Sequence, residues 1–254
     1  MEYIDPTAAR TMSGLRLALT CHVPGPYSMS AKAIFELRNV PYAPIAQLGA
    51  EENVELEDWT GHRNAPVAVY EDEAPRAGWL DILNLAERLG SGPSLMPDDL
   101  AQRMKMIGIA NELIGENGLL WNARIIMLGL GGSDRAAEAA KVNPMYAQYG
   151  YSEQARSNAE EKATEILNYF TDHVRHQKEA GSPYLIGTSL SALDVYWAYF
   201  SQIFSTLPPE QCPMPNYLRK SYDLCGEALN GCDTLLIEQR DWIFANHLTL
   251  PMEF

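Results

Sequence analysis

The spacing of apolar residues changes character near residue 90. Upstream of that point, short β-rich runs alternate with helical stretches. Residues 15–20 alternate apolar and polar well enough for a strand, and the two prolines and one glycine of residues 21–26 stop it. Ala31, Ile34, Phe35 and Leu37 recur at helical spacing and predict a helix over residues 27–39. Residues 40–45 read as a second strand. Its prolines, Pro41 and Pro44, suit an edge position because proline donates no ladder hydrogen bond. Residues 50–64 are acidic, then polar, and weakly helical; the acidic run 51–58 reads as a solvated face. Residues 65–70 are β-rich, and a turn at 71–74 leads to a short fourth strand. Leu80, Leu83, Leu85, Ala86 and Leu89 then make an amphipathic helix ending at Gly90. The order βαβ followed by ββα predicts an α/β unit.

Beyond the glycines and prolines of residues 90–97 the strand signals vanish. Residues 100–130 read as one long helix or two, with Gly115 and Gly118 as the points of bending. A glycine-rich break follows at 129–133, and residues 152–180 make a long helix that turns Ala155, Ala159, Ala163, Ile166, Leu167 and Phe170 inward. Ser191 and Asp194 stand three apart before an apolar run, the spacing of a capping box, with Leu190 and Val195 placed as a hydrophobic staple. The helix they open, 191–204, is apolar almost all round and is therefore expected to be buried. A proline-rich connection, two further helices over 217–230 and 233–246, and a tail docked on the body complete the chain. The expected organisation is an N-terminal arm over 1–13, an α/β domain over 14–90, a linker over 91–98 and an all-helical domain over 99–254.

Composition narrows the function classes. With 254 residues, 46% of them hydrophobic and 20% charged, the chain can bury a substantial core. A formal net charge of −14 argues against nucleic acid or an anionic membrane surface as partner. No apolar run approaches the roughly 20 residues of a membrane-spanning helix, and the first 13 residues lack a basic segment followed by an apolar one. Cys21, Cys212, Cys225 and Cys232 are widely spaced without a CxxC, which speaks against a disulfide framework or zinc site and for a reducing, cytoplasmic setting. His173 and His176 have metal-ligand spacing but no third ligand, and cations at a helix C-terminus explain them better. No metal is expected.

Tyr184, Leu185, Gly187, Ser191 and Asp194 form a Y-L-x-G…S-x-x-D pattern. Together with Pro24, Gly25, Tyr27 and Ser28, then Val40, Pro41 and Tyr42, then Ala65, Pro66 and Val67, then Leu95 and Pro97, it resembles cytosolic glutathione S-transferases over roughly residues 14–204. The resemblance implies a thioredoxin-like α/β domain followed by an all-helical glutathione S-transferase C-terminal domain. It also implies glutathione as co-substrate, a small hydrophobic electrophile, and a homodimer. The activity expected from it is a transferase, isomerase or lyase working through a glutathione thiolate.

The site residues follow from the same resemblance. Ser28 is the first choice for a hydrogen bond to the thiolate and Tyr27 the second, because Gly25 falls where plant-type members carry their serine. Ala65 and Pro66 match the cis-proline that exposes backbone to the cysteinyl part of glutathione. Gly78 and Trp79 fall where the family carries Glu-Ser or Asp-Ser for the γ-glutamyl end, and His62, Arg63 or Arg76 are candidates for a peptide carboxylate. Trp121 and Arg124 are expected to line the cleft for the electrophile. Gly25, Gly78 and Trp79 also motivate an alternative: a protein that keeps the fold without glutathione, acting as a binding protein or catalysing a glutathione-independent reaction in the interdomain cleft.

Overall fold

The computed structural model describes residues 1–49, 51–229 and 231–254. Ala50, at the start of the weakly helical stretch, and Asn230, at the end of the helix expected over 217–230, lie outside the described residues. The chain forms two units. The first comprises residues 1–96, 209–214 and 248–254; the second comprises 97–208 and 215–247.

The first unit opens with a single helical turn, α1 (Pro6–Ala9), where Asp5 accepts from the Thr7 amide at 2.8 Å and Pro6 takes the first helical position. Then come β1 (Leu15–Thr20), α2 (Pro26–Leu37), β2 (Tyr42–Gln47), α3 (Val54–Thr60), β3 (Val67–Tyr70) and α4 (Trp79–Leu89). The sheet order is β2-β1-β3, with β2 parallel and β3 antiparallel to β1. Strand β2 lies at the edge, where its prolines put it. Alternation sends Ala18 of β1 to one face, among Ala9, Ile45, Leu56, Val67 and Val69. Leu17 and Leu19 are left to the opposite face, where α2 packs on β1 and α4 on α2. The expected fourth strand is reduced to one antiparallel bridge, Ala68 with Arg76. Pro75 offers no donor on one side of that bridge, and Gly78 already caps α4 on the other.

The second unit is entirely helical among its described residues: α5 (Leu100–Ile114), α6 (Leu119–Leu128), α7 (Ser133–Ala140), α8 (Pro144–Gln148), α9 (Glu153–Glu179), α10 (Ala192–Phe200) with a 3-10 turn at Ser201–Ile203, α11 (Asn216–Ala228) and α12 (Thr234–His247). The stretch expected as one helix or two is two, with Gly115 closing α5 and Gly118 opening α6. Every residue of α10 is buried. It packs against α5 and α12. Trp197 stacks edge-on with Phe170 at 4.9 Å and donates its indole N–H to the Leu236 carbonyl at 2.9 Å, so the one polar atom of its ring is satisfied. Two segments expected in the helical domain, 209–214 and 248–254, instead cluster with the first unit. There Met252 is buried and its amide donates to the Gln211 carbonyl at 2.8 Å. Among the described residues no helix is long and apolar enough to cross a membrane.

Candidate functional site

Within the first unit, the end of α3, the loop into β3, the start of α2 and the residue before Gly78 converge on a cavity of about 320 Å³. Tyr27, Glu57, His62, Arg63, Ala65, Pro66 and Ala77 are among its lining residues. The Ala65–Pro66 peptide is cis. No hydrogen bond ties the backbone N–H or C=O of Ala65 to any described residue, and Ala65 lines the cavity, so this stretch of backbone is a free edge beside it. The Arg63 guanidinium likewise has no ion pair or hydrogen bond with a described residue, whereas Arg76 is committed to Glu73 at 2.6 Å. An unpaired cation beside a free backbone edge is suited to a ligand that carries both a peptide group and a carboxylate.

The two hydroxyl candidates separate. Helix α2 is capped by Gly25, with Pro26 at its first position, so Tyr27 and Ser28 occupy successive sites in the first turn. Ser28 is buried; its Oγ accepts the Thr20 amide at 3.0 Å and lies 3.3 Å from Thr20 Oγ1. That hydroxyl ties α2 to the end of β1 instead of capping its own helix. Tyr27 is half-buried and lines the cavity. Cys21 is buried, and burial pushes its thiol pKa up, which disfavours the thiolate.

On the other wall, the hydrogen bonds of the Ala68–Arg76 bridge, both 2.9 Å, bring Ala77 and Gly78 alongside Val67 and Pro66. Gly78 is the N-cap of α4 and Trp79 is its half-buried first residue; neither is among the cavity's lining residues, whereas Ala77 is. A Cβ placed on Gly78 would stand 2.7 Å from Asp81 Oδ2, so the space of a residue-78 side chain is held by the Asp81 carboxylate. Glu57, which lines the cavity, and Asp81, which stands beside Gly78, are groups that sequence reasoning did not pick out. Glu57 is hidden in an acidic run, but Asp81 had a signal: a glycine N-cap followed three residues later by an acid, the spacing of a capping box with its first side chain missing.

Trp121 and Arg124 lie on α6 in the second unit. Trp121 packs against Tyr149 in a tilted arrangement with ring centroids 4.6 Å apart, and Arg124 Nε is buried without a hydrogen-bond partner among the described residues. A second cavity of about 300 Å³ is lined by Asn168, Asp172 and Arg175 of α9 and by Leu229, Gly231, Cys232 and Asp233, among others. Neither Trp121 nor Arg124 lines it or the first cavity. Burial pushes the Cys232 thiol up to about 12. His173 is buried with Nε2 on the Leu185 carbonyl at 2.6 Å, and among the described residues no group of three His, Cys, Asp or Glu side chains gathers as a metal site.

A thioredoxin-like α/β unit followed by an all-helical unit defines the class of fold. Among solved structures, the chain matches a glutathione transferase family member from Pseudomonas fluorescens with two glutathione molecules bound, at TM-score 0.61 and 13% identity over 97% of this chain and 98% of that one. It also matches a glutathione S-transferase from Methylobacterium radiotolerans in complex with glutathione sulfonate (TM-score 0.59, 12% identity, 91% of each chain). A tau-class enzyme from mango matches at TM-score 0.52 and 18% identity, over 93% of this chain and 99% of that one. No family model matches the sequence, and no curated protein matches it. The chain has the glutathione S-transferase fold, in a sequence far diverged from these neighbours.

Proposed function

We propose that the cavity of the first unit binds a peptide thiol of the glutathione type and stabilises its thiolate for attack on a small hydrophobic electrophile. The observation that carries this reading is the convergence of Tyr27, Arg63 and the unpaired Ala65 peptide on one cavity. Ala65 offers its N–H and C=O to the cysteinyl backbone, and Arg63 takes the terminal carboxylate. The Tyr27 hydroxyl donates to the sulfur. A donor to the thiolate favours the charged form, lowers the thiol pKa and raises the fraction of nucleophile at neutral pH. Solved neighbours that carry glutathione or glutathione sulfonate support the ligand class. Tyr27 replaces Ser28 as first choice in this proposal because Tyr27 lines the cavity, whereas Ser28, buried against Thr20, is not among its lining residues. A homodimer, and the placing of the electrophile beside Trp121 and Arg124, belong to the same proposal and rest on the sequence resemblance alone.

The test is a pH titration of bound glutathione, followed by thiolate ultraviolet absorbance, in wild type, Tyr27→Phe and Ser28→Ala. A hydrogen bond to a charged group contributes roughly 1.5–3 kcal/mol, so Tyr27→Phe should raise the bound thiol pKa by about one to two units. Ser28→Ala should lower thermal stability and leave that pKa near the wild-type value. A raised pKa in the serine variant alone assigns the thiolate contact to Ser28 and overturns the role given to Tyr27.

A further inference from the structure

Resting on that reading, we infer that the cavity prefers a short thiol peptide with a free α-ammonium on its cysteinyl residue and one C-terminal carboxylate over the same peptide extended by a γ-glutamyl group. The argument is a count of charges around the site. Arg63 is its one unpaired guanidinium among the described residues, since Arg76 is committed to Glu73. Against it stand two carboxylates, Glu57 in the lining and Asp81 beside Gly78. Glutathione carries two carboxylates and one ammonium; a cysteinylglycine-type peptide carries one of each. Only the second matches a site with a single free guanidinium.

The placing of the charges gives the ligand a direction. Arg63 precedes the Ala65 edge, so a peptide with its carboxylate on Arg63 and its backbone along Ala65 runs its amino end toward Ala77 and Gly78. There the N-terminus of α4 carries no side-chain cap. The dipole of a helix N-terminus is ordinarily attractive to an anion, but the Asp81 carboxylate already stands at that end. A second carboxylate arriving there meets a like charge, whereas an ammonium meets an opposite one. Because Gly78 has no side chain, Asp81 can occupy this position at all: any Cβ on residue 78 would displace it. Discrimination comes as much from this repulsion as from attraction.

The experiment is isothermal titration of the intact protein with cysteinylglycine and with glutathione at one pH and salt concentration. Wild type, Asp81→Asn and Arg63→Gln are compared after circular dichroism shows all three folded. Wild type should bind cysteinylglycine about tenfold more tightly than glutathione. Asp81→Asn keeps the side-chain shape and removes its charge. It should bind glutathione more tightly and cysteinylglycine more weakly, bringing the ratio to about one or below. Arg63→Gln should weaken both peptides by similar factors. If wild type binds glutathione as tightly as cysteinylglycine, or Asp81→Asn moves both affinities in the same direction, this inference is overturned while the peptide-thiol reading stands. If wild type binds neither peptide at millimolar concentration, the peptide-thiol reading itself falls, and this inference with it.

Discussion

Leu185 is fastened by its peptide group from both sides. Asp194 Oδ1 accepts its N–H at 2.8 Å, and His173 Nε2 donates to its carbonyl at 2.6 Å. The other Asp194 oxygen accepts the Ser191 amide at 2.8 Å and the Ser191 hydroxyl at 2.7 Å, which completes the capping box of α10. Burial acts on the two ionisable groups in opposite senses. It pushes the Asp194 carboxyl up to about 6 against the hydrogen bonds that favour its charge, and it pushes His173 down, helped by Lys105 and His176 nearby. A carboxyl whose folded pKa lies above its unfolded one stabilises the fold fully below the unfolded value, and that contribution is lost as pH rises through the folded one. Asp194 therefore favours the folded state increasingly as pH falls from about 6 toward about 4, while His173 works the other way below its ordinary range. Asp194→Asn removes only the first effect. In urea unfolding, the stability gap between wild type and this variant should widen by up to about 3 kcal/mol between pH 7 and pH 4. A gap that stays flat or narrows would show that burial does not govern Asp194. The capping box was legible because its chemistry is local, confined to residues three apart. The choice between Tyr27 and Ser28 was not legible. Successive helix residues point about 100° apart, and only the position of Thr20, brought in by β1, decides which of them faces the cavity.

Edge strand β2 is covered by the N-terminal arm. The Ile4 amide donates to the Pro44 carbonyl and the Ala46 amide to the Ile4 carbonyl, both at 2.9 Å, making a one-residue parallel bridge outside the sheet proper. An unpaired edge is a template for pairing with another chain, and a bridge of this kind blunts it. The arm is held further along by Arg16, whose guanidinium donates to the carbonyls of Met12 and Glu71 and lies 5.6 Å from the Trp59 ring. Ile4→Pro removes the donor to Pro44. It should lower stability by about 1–2 kcal/mol and speed hydrogen exchange at the Ala46 amide, with native circular dichroism retained. Unchanged protection at Ala46 would show that the arm does not seal the edge. At this scale the reading of sequence succeeded where a period repeats and failed where it does not. The prolines marked β2 as an edge, alternation found β1 and residues 1–13 read as an arm, but a bridge of one residue has no period, so the pairing of Ile4 with β2 was not seen. The fourth strand was over-read: between Pro75 and Gly78 stand only Arg76 and Ala77, neither of them a β-former, and room remains for one bridge. Helices α7 and α8 went unread behind Gly129, Gly131 and Gly132. The alanines at 136, 137, 139 and 140, and Asn143 capping Pro144 with its side chain on the Met145 amide at 3.0 Å, were signals that could have found them.

At the scale of the whole molecule, the two units are not two successive pieces of chain. The change of hydrophobic period near residue 90 marks where the α/β pattern ends, and the units do change over between Met96 and Pro97. The return of the chain could not be seen from periodicity, because 209–214 and 248–254 are short, proline-bearing and without regular structure. What places them is burial: Cys212, Met214 and Met252 are all in the core, and the Met252–Gln211 hydrogen bond joins one returning segment to the other. A first unit assembled from three stretches of sequence should depend on the last of them. Truncation after His247 removes Met252, whose burial contributes roughly 1.5–3 kcal/mol, and leaves the Gln211 carbonyl without its donor. The loss should therefore fall on the first unit, although the cut is made directly after α12 of the second. Hydrogen exchange read residue by residue separates the alternatives. Protection should drop in β1, β2 and β3 by a factor corresponding to about 2 kcal/mol, while the amides of α9 and α10 keep most of theirs. A uniform loss across both units would mean that they unfold as one cooperative body. A loss confined to α12 would mean that the tail only seals the helix it follows.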